Sequence, residues 1–516
     1  MKKVIFSAFA LLLCASFAFA QQKSETDPKN DPGDDDKPPF EIPTPTPQTP
    51  PGKELVPFAI PGQATNFSKI NQVGVKNNAN VYQTGAFNSS NIHQRVGNNN
   101  ANVTQTTDLG QIEPGNPSAV AGDFGSLVRN QAFIDQVGLD ATSNANNATI
   151  EQTGLSNQAR QFQTGDYNTA FASQTTDANG LDDLLSGGDS DELLSLPINS
   201  SEQNQINATG GAANYASVTQ NGVLLDAVQH QDGEGNSASS DQLNANSNSV
   251  QSQVGNGNYA SSTQEGGPDD NGGNNFGNND VEQFQIGDDN AATVSQSGED
   301  LQSFQFQGLT GNAGEGEANG ATLNYADVSQ TGIDNLAVQI QTGDDNSASA
   351  DQAGEGNAAY QIQSGDGNDA VVSQIDGDPS DNIAVQNQSG NNNSATATQV
   401  EGQNVSVQFQ EGSENVADAY QNGWDNKSLQ HQSGDYNDAF LVQDGIFNTS
   451  FQSQLGNGQG ARNLSDVIQS GNRNFSLTSQ QGGNANSITV GQYGNRNLSK
   501  VFQNGTHNTA TVTQNN

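Results

Sequence analysis

The sequence predicts an all-β fold: an amyloid-like β-solenoid of stacked strand–turn–strand coils, with a 22-residue repeat made of two 11-residue units. Three observations carry this expectation. Glutamine returns every eleven residues over long runs, as at Gln388, Gln399, Gln410, Gln421, Gln432, Gln443 and Gln454. Glycine tends to follow each glutamine at +2, asparagine at +5, and alanine or serine at +7. Between the Gly-x-x-Asn turns, residues alternate in character with period two, which is the periodicity of a strand and not of a helix.

Composition limits what else the chain can be. Of 516 residues, 57 are acidic and 16 basic, for a formal net charge of −41, and only 31% are hydrophobic. That is too little apolar surface for several conventional cores. A polyanion gains nothing from phosphate neutralisation, so nucleic-acid binding is excluded. Composition alone approaches the disordered class, but the strict order of the residues argues against disorder.

Taken in chain order, residues 1–20 (MKKVIFSAFALLLCASFAFA) have a basic start, an apolar stretch and a small-x-small end. These are the marks of a secretory signal peptide. Cys14, the only cysteine, lies within it, so a mature chain cut after Ala20 has no thiol chemistry and no disulfide. No later segment has the ~18 consecutive apolar residues of a membrane-spanning helix. Residues 21–65 are rich in proline and aspartate and read as a linker or targeting segment, with an apolar patch at Leu55–Gly62. Residues 66–323 carry interrupted repeats, with insertions over Thr106–Asp135, Thr175–Gln203, Glu265–Gln283 and Gly308–Asn324. Residues 324–516 carry regular ones. About thirty units and about 16 coils are expected.

Each unit has its own logic. Gln-x-Gly-x-x-Asn supplies the tight turn, with Gly332, Gly343, Gly354, Gly365, Gly390, Gly412, Gly423, Gly434 and Gly445 at the glycine position. The following seven residues have strand length. In Asn335–Gln341 one face carries Asn335, Ala337, Gln339 and Gln341; in Asn346–Gln352 it carries Asn346, Ala348, Ala350 and Gln352. This near-invariant set is expected to face inward, because the other set varies freely between apolar, polar and charged. The residue two before the closing glutamine alternates large and small, through Gln339, Ala350, Gln361, Val372, Gln386 and Ala397. Large against small fills a thin interior and makes the true period 22.

An interior lined with amides is costly unless each is paired. Stacked in register, each amide can donate to its copy in one neighbouring coil and accept from its copy in the other. The expected ladder and self-assembly residues are Asn335, Gln341, Asn346, Gln352, Asn357, Gln363, Asn368, Gln374, Asn393, Gln399, Asn404, Gln410, Asn415, Gln421, Asn426, Gln432, Asn437, Gln443, Asn508 and Gln514.

The run Asn415-Val416-Ala417-Asp418-Ala419-Tyr420-Gln421-Asn422-Gly423-Trp424-Asp425-Asn426 resembles the curlin repeat, the unit of the curli fibre major subunit. The resemblance extends over most of Asn66–Gln514, although this chain is much longer than a curli subunit. It implies a secreted subunit that polymerises outside the cell into functional amyloid for biofilm matrix and surface adhesion. It also implies partners: further copies of itself, a nucleator, an outer-membrane secretion channel and accessory proteins. A monomeric cell-surface β-solenoid adhesin is the alternative.

Other constellations point to little chemistry. His93, His230, His431 and His507 are far apart and on variable positions, and no catalytic arrangement stands out, so no enzyme and no cofactor are expected. Calcium is the one ion that the turn aspartates (Asp344, Asp345, Asp366, Asp435 and the cluster Asp376, Asp378, Asp381) suggest. Their spacing matches neither the EF loop nor the calcium roll. In two units, at Gly97 and Gly402, the glycine comes one place late, which predicts a locally different turn. One outward face is apolar through Leu336, Val338, Ile340, Tyr360, Ile362, Val405, Val407 and Phe409, and reads as an interface. The last strand, Asn508–Gln514, is expected to leave an open edge.

Overall fold

A computed structural model describes residues 66–85, 88–107, 130–138, 145–176, 199–207, 211–266, 277–308, 323–375, 381–457 and 462–516. The signal-peptide and linker expectations, the Leu55–Gly62 patch, Asp376 and Asp378 lie outside the described residues.

Among the described residues there are thirty-four strands, from β1 (Phe67–Val75) and β2 (Asn78–Thr84) to β33 (Leu498–Asn504) and β34 (Thr509–Asn515). Odd-numbered strands form one 17-stranded sheet and even-numbered strands the other. All pairing is parallel, each strand lying on the strand two later in the chain. Thus β19 (Leu336–Thr342) pairs β21 (Ala358–Ser364) with Gln339 on Gln361, and β20 (Ser347–Glu355) pairs β22 (Asp369–Ile375) with Gln352 on Gln374. No pairing joins β34 back to β2, so the even sheet is an open ladder like the odd one. At ~4.8 Å per strand the solenoid is roughly 75–80 Å long.

The predicted fold class holds, with about the expected number of coils. The insertions are shorter than expected. Asn130–Asp135 belongs to β5 (Asn130–Val137), Asn199–Gln203 to β9 (Asn199–Ile206), and Asp280–Gln283 to β15 (Asp280–Ile286). Each of these strands has its inward Asn and Gln, but the preceding Gln-x-Gly turn that would announce it is missing. The insertions leave the stacking intact. Gln94 pairs with Gln136 across one, and Gln296 with Gln330 across another. Residue 323/324 therefore marks no break in either sheet.

The turns use two left-handed positions. All nine predicted turn glycines have positive φ, between 103° and 122°. The second left-handed position is the residue before the asparagine, not the asparagine itself: Asp334 (φ 57°), Asp345 (56°), Glu414 (55°), Asp425 (54°), and glycine at Gly356 and Gly367. The asparagine points inward instead. Where glycine comes late, the residue at the glycine position stays left-handed but at a smaller φ than the turn glycines and bears the strain: Val96 sits at φ 74° and Glu401 at 66°. The turn thus differs locally, as expected, while the stacked neighbours keep it left-handed. A β-branched residue at positive φ is disfavoured by about 1–3 kcal/mol. Val96→Gly is therefore expected to stabilise the chain by about 1 kcal/mol, after subtracting glycine's extra unfolded-state entropy. A urea midpoint that does not rise would contradict this.

Candidate functional site: an amide-lined interior and its end coils

Inward and outward residues alternate as predicted. The eighteen expected ladder residues from Asn335 to Gln443 are all at most 2% exposed. Asn508 and Gln514 have the same orientation but are half-buried, because the last coil has a neighbour on one side only.

The glutamine ladders are continuous. In the odd sheet each Nε2 donates to the Oε1 of the next coil's glutamine, without a gap from Gln72 to Gln503. The even sheet does the same from Gln83 to Gln514. A third column, set in the middle of the odd sheet, runs from Gln161 to Gln452.

The second N–H of these glutamines crosses the interior, which the sequence pattern did not disclose. Gln339 donates to the Asp327 carbonyl at 2.8 Å, and Gln361 to the carbonyls of Ser349 (2.9 Å) and Ala370 (2.8 Å). Gln341 likewise reaches the Tyr325 carbonyl at 2.8 Å. The small residues opposite, Ala350 and Ala397 among them, leave room for this reach. The glutamines thus satisfy both amide N–H groups and tie the two sheets together.

The asparagines run the other way. Asn346 donates from Nδ2 (3.1 Å) and from its backbone N–H (3.0 Å) to Oδ1 of Asn324 in the coil before, and Asn368 does the same to Asn346. The column continues through Asn393, Asn415 and Asn437. On the opposite edge Asn335 accepts from the Asn357 backbone, and Asn426 donates to Asn404. Asn346 Nδ2 also caps the carbonyl of Gly365 at 2.7 Å. Within the ladders, glutamine therefore donates to the glutamine of the C-terminal coil and asparagine to the asparagine Oδ1 of the N-terminal coil, while asparagine Nδ2 also reaches a turn carbonyl of the next coil. The solenoid has a direction that its side chains encode.

The two ends differ from the middle. In the central column of the odd sheet, glutamine gives way to Ile70, Ile92 and Ile134 at one end and to Thr478 and Val501 at the other. Opposite them stand Val81, Val103 and Ile150, and Val490 and Val512. These form apolar clusters around Ile92, Ile134 and Ile150, and around Val490 and Val501. An end-coil glutamine would lack a ladder partner on one side, whereas an aliphatic side chain leaves no polar atom unpaired. At the outermost coils the remaining amides are complementary. Gln503 and Gln514, whose interior counterparts donate onward, form the last rung, while Gln72 and Gln83 present acceptor Oε1 atoms at the other end.

The turn acids do structural work. Asp366 accepts from the backbone N–H of Asp344 (3.3 Å), and Asp435 from that of Ser413 (2.9 Å). Asp381 takes a left-handed turn position at φ 74°. Among the described residues no group of three or more His, Cys, Asp or Glu is arranged to hold a metal ion.

Outward carboxylates lie beside neighbouring strands that remove part of their solvent; Glu282, Asp418 and Asp466 are half-buried and Asp226, Asp241 and Asp369 remain exposed. Burial raises the pKa values of Asp226, Asp241, Glu282, Asp369, Asp418 and Asp466 above the usual range. Asp334 is raised by burial and by the stacked charges of Asp300 and Asp381. A raised carboxylate binds a proton more tightly folded than unfolded, so its destabilising effect at neutral pH is relieved as pH falls toward the ordinary carboxylate range. Burial lowers His230 and His431, which oppose this trend as pH falls through about 6.5. Seven carboxylates against two imidazoles, in a chain of net charge −41, give a thermal midpoint expected to be higher at pH 4.5 than at 7.5. A steady fall on acidification would contradict this.

This geometry defines a parallel, two-sheet β-solenoid with a hydrogen-bonded polar interior. A family model described as the curlin associated repeat matches residues 322–354, 343–375, 460–494 and 483–515, so the chain carries curlin repeats over these stretches. No curated protein matches the chain. No helix of the described residues is long and apolar enough to cross a membrane.

Proposed function

We propose that the chain is a secreted structural subunit that self-assembles end to end into curli-like extracellular fibres, serving biofilm matrix and surface adhesion. The observation that carries this reading is the opposed polarity of the two kinds of ladder. A second copy placed with its N-terminal coil on the C-terminal coil of the first sets Gln503 and Gln514 N–H groups against the acceptors of Gln72 and Gln83. The same placement sets the Asn66 and Asn77 amides against Asn497 and Asn508, and Ile70 and Val81 against Val501 and Val512. Stacking in the reverse sense would oppose donor to donor. Curlin repeats support self-association, and a nucleator, a secretion channel and accessory proteins are the partners this role calls for.

Purified chain without its first twenty residues should elongate into unbranched fibres with a 4.7–4.8 Å meridional reflection. Those fibres should grow with one polarity when seeds are labelled. A chain that stays monomeric over the concentration range would instead be a finished rod, acting as a binding module at the cell surface.

A further inference from the structure

Between Arg160 and Lys427 the chain contains no lysine or arginine, so its middle coils are uniformly acidic. One surface there escapes the charge. On the outer face of the odd sheet, β17 (Gln302–Gln307), β19, β21, β23 (Ile383–Ser389) and β25 (Val405–Glu411) carry no charged residue in their three outward positions. The central row is Phe304, Val338, Tyr360, Val385 and Val407, each stacked on the next through strand pairing. The even sheet of the same coils presents Ser347, Ser349, Asp369, Thr396 and Asp418 instead, a face suited to water.

The borders of the uncharged face are asymmetric. On one side lies β15 with Asp280 and Glu282; on the other lies β27 (Lys427–Asp435), which begins with Lys427. Lys427 makes no ion pair among the described residues. The strand order β15, β17, β19, β21, β23, β25, β27 places β21 at the centre. A two-fold axis along β21 lays the face on its own copy with the solenoid axes antiparallel, and Asp280 then stands opposite the second copy's Lys427, twice by symmetry. Phe306 stands opposite Phe409 and Val338 opposite Val385. The alternative with parallel axes would set Glu282 against Glu282. Glu411, at the end of β25, falls opposite an uncharged strand end. The footprint is roughly 24 by 20 Å per copy from strand and side-chain spacings, so about 1,000 Å² in total is covered, enough for a specific contact.

We propose that this face is a lateral interface with a second copy of the chain, in which the two solenoids lie antiparallel and are registered by Asp280–Lys427 pairs. The contact uses no end coil, so it stands or falls separately from end-to-end growth.

Sedimentation velocity of freshly prepared full-length chain, with negative-stain width measurement of any fibres, tests it. The expected result is a concentration-dependent dimer and paired filaments. Val338→Lys with Val407→Lys should weaken dimerisation at least a hundredfold. Lys427→Glu should weaken it roughly tenfold, by placing like charges opposite each other. Asp280→Lys combined with Lys427→Glu should restore it. A chain that remains monomeric and single-filamented overturns the proposal, as does a dimer indifferent to Val338→Lys and Val407→Lys. Loss with Lys427→Glu but no rescue by the double reversal overturns the antiparallel register. Dimerisation that appears only after removal of residues 21–65 shows that this segment, not a second copy, occupies the face, and overturns it too.

Discussion

A chain carrying Val501→Lys and Val512→Lys is expected to fold normally, to fail as a growing end, and to poison fibres of the unaltered chain. The two side chains point into the last coil, beneath a surface that only a following coil would cover: Val512 is half-exposed there, whereas Val490 one coil earlier is fully buried. In the free rod the ammonium groups reach water over the open end. Under a docked coil they would meet Ile70 and Val81, with no partner and no solvent, a cost of several kcal/mol. Elongation should fall at least a hundredfold. The N-terminal coil of the variant is untouched, so it should still dock on a normal C-terminal end and cap it at substoichiometric amounts. Ile70→Lys with Val81→Lys should cap the opposite end, and mixing the two variants should yield only short species. Seeded growth followed by thioflavin fluorescence and electron microscopy reads this. Equal growth of variant and unaltered chain would refute directional stacking.

Gln361→Leu tests the interior itself. Leucine nearly matches the volume, so packing changes little and the amide chemistry is isolated. The substitution leaves the Gln339 N–H without its acceptor at 2.9 Å and Gln386 Oε1 without its donor at 3.0 Å. It also strips the Ser349 and Ala370 carbonyls of the donor that bridges the sheets. Leaving two buried groups of the ladder unpaired should cost about 2–4 kcal/mol. Hydrogen exchange should show the loss concentrated in the coils around β21, because a solenoid is coupled mainly to its nearest neighbours. Ser349→Ala, on the outside of the facing strand, should change stability by less than about 0.5 kcal/mol. If Gln361→Leu were neutral or stabilising, the amide interior would be incidental to stability.

Much of this architecture was legible in one dimension. A period of eleven, glycine at +2 and an inward set of Asn, Ala and Gln suffice for strands, turns and faces, because strand periodicity and positive φ are local demands. The insertions were read too wide because a strand without its turn motif, such as Asn130–Val137, has no local signature. Its partners Gln94 and Gln163 lie far along the chain, and only stacking identifies it. At Glu401 local preference asks for glycine, but the coils above and below hold even this residue at a positive φ of 66°, a local variant of the turn.

The amino-acid order by itself determined the repeat, the faces and the need for amide pairing, since these follow from residue types at fixed spacing. Only the tertiary structure decided which way each amide points, that glutamine N–H groups bridge the sheets, and that the central columns of the end coils turn aliphatic. The physical reason is that an amide has a donor side and an acceptor side. Its spacing along the chain is silent on which faces which neighbour, and the choice is made collectively, when the backbone carbonyls of the opposite sheet take one N–H and leave the other a single direction to point.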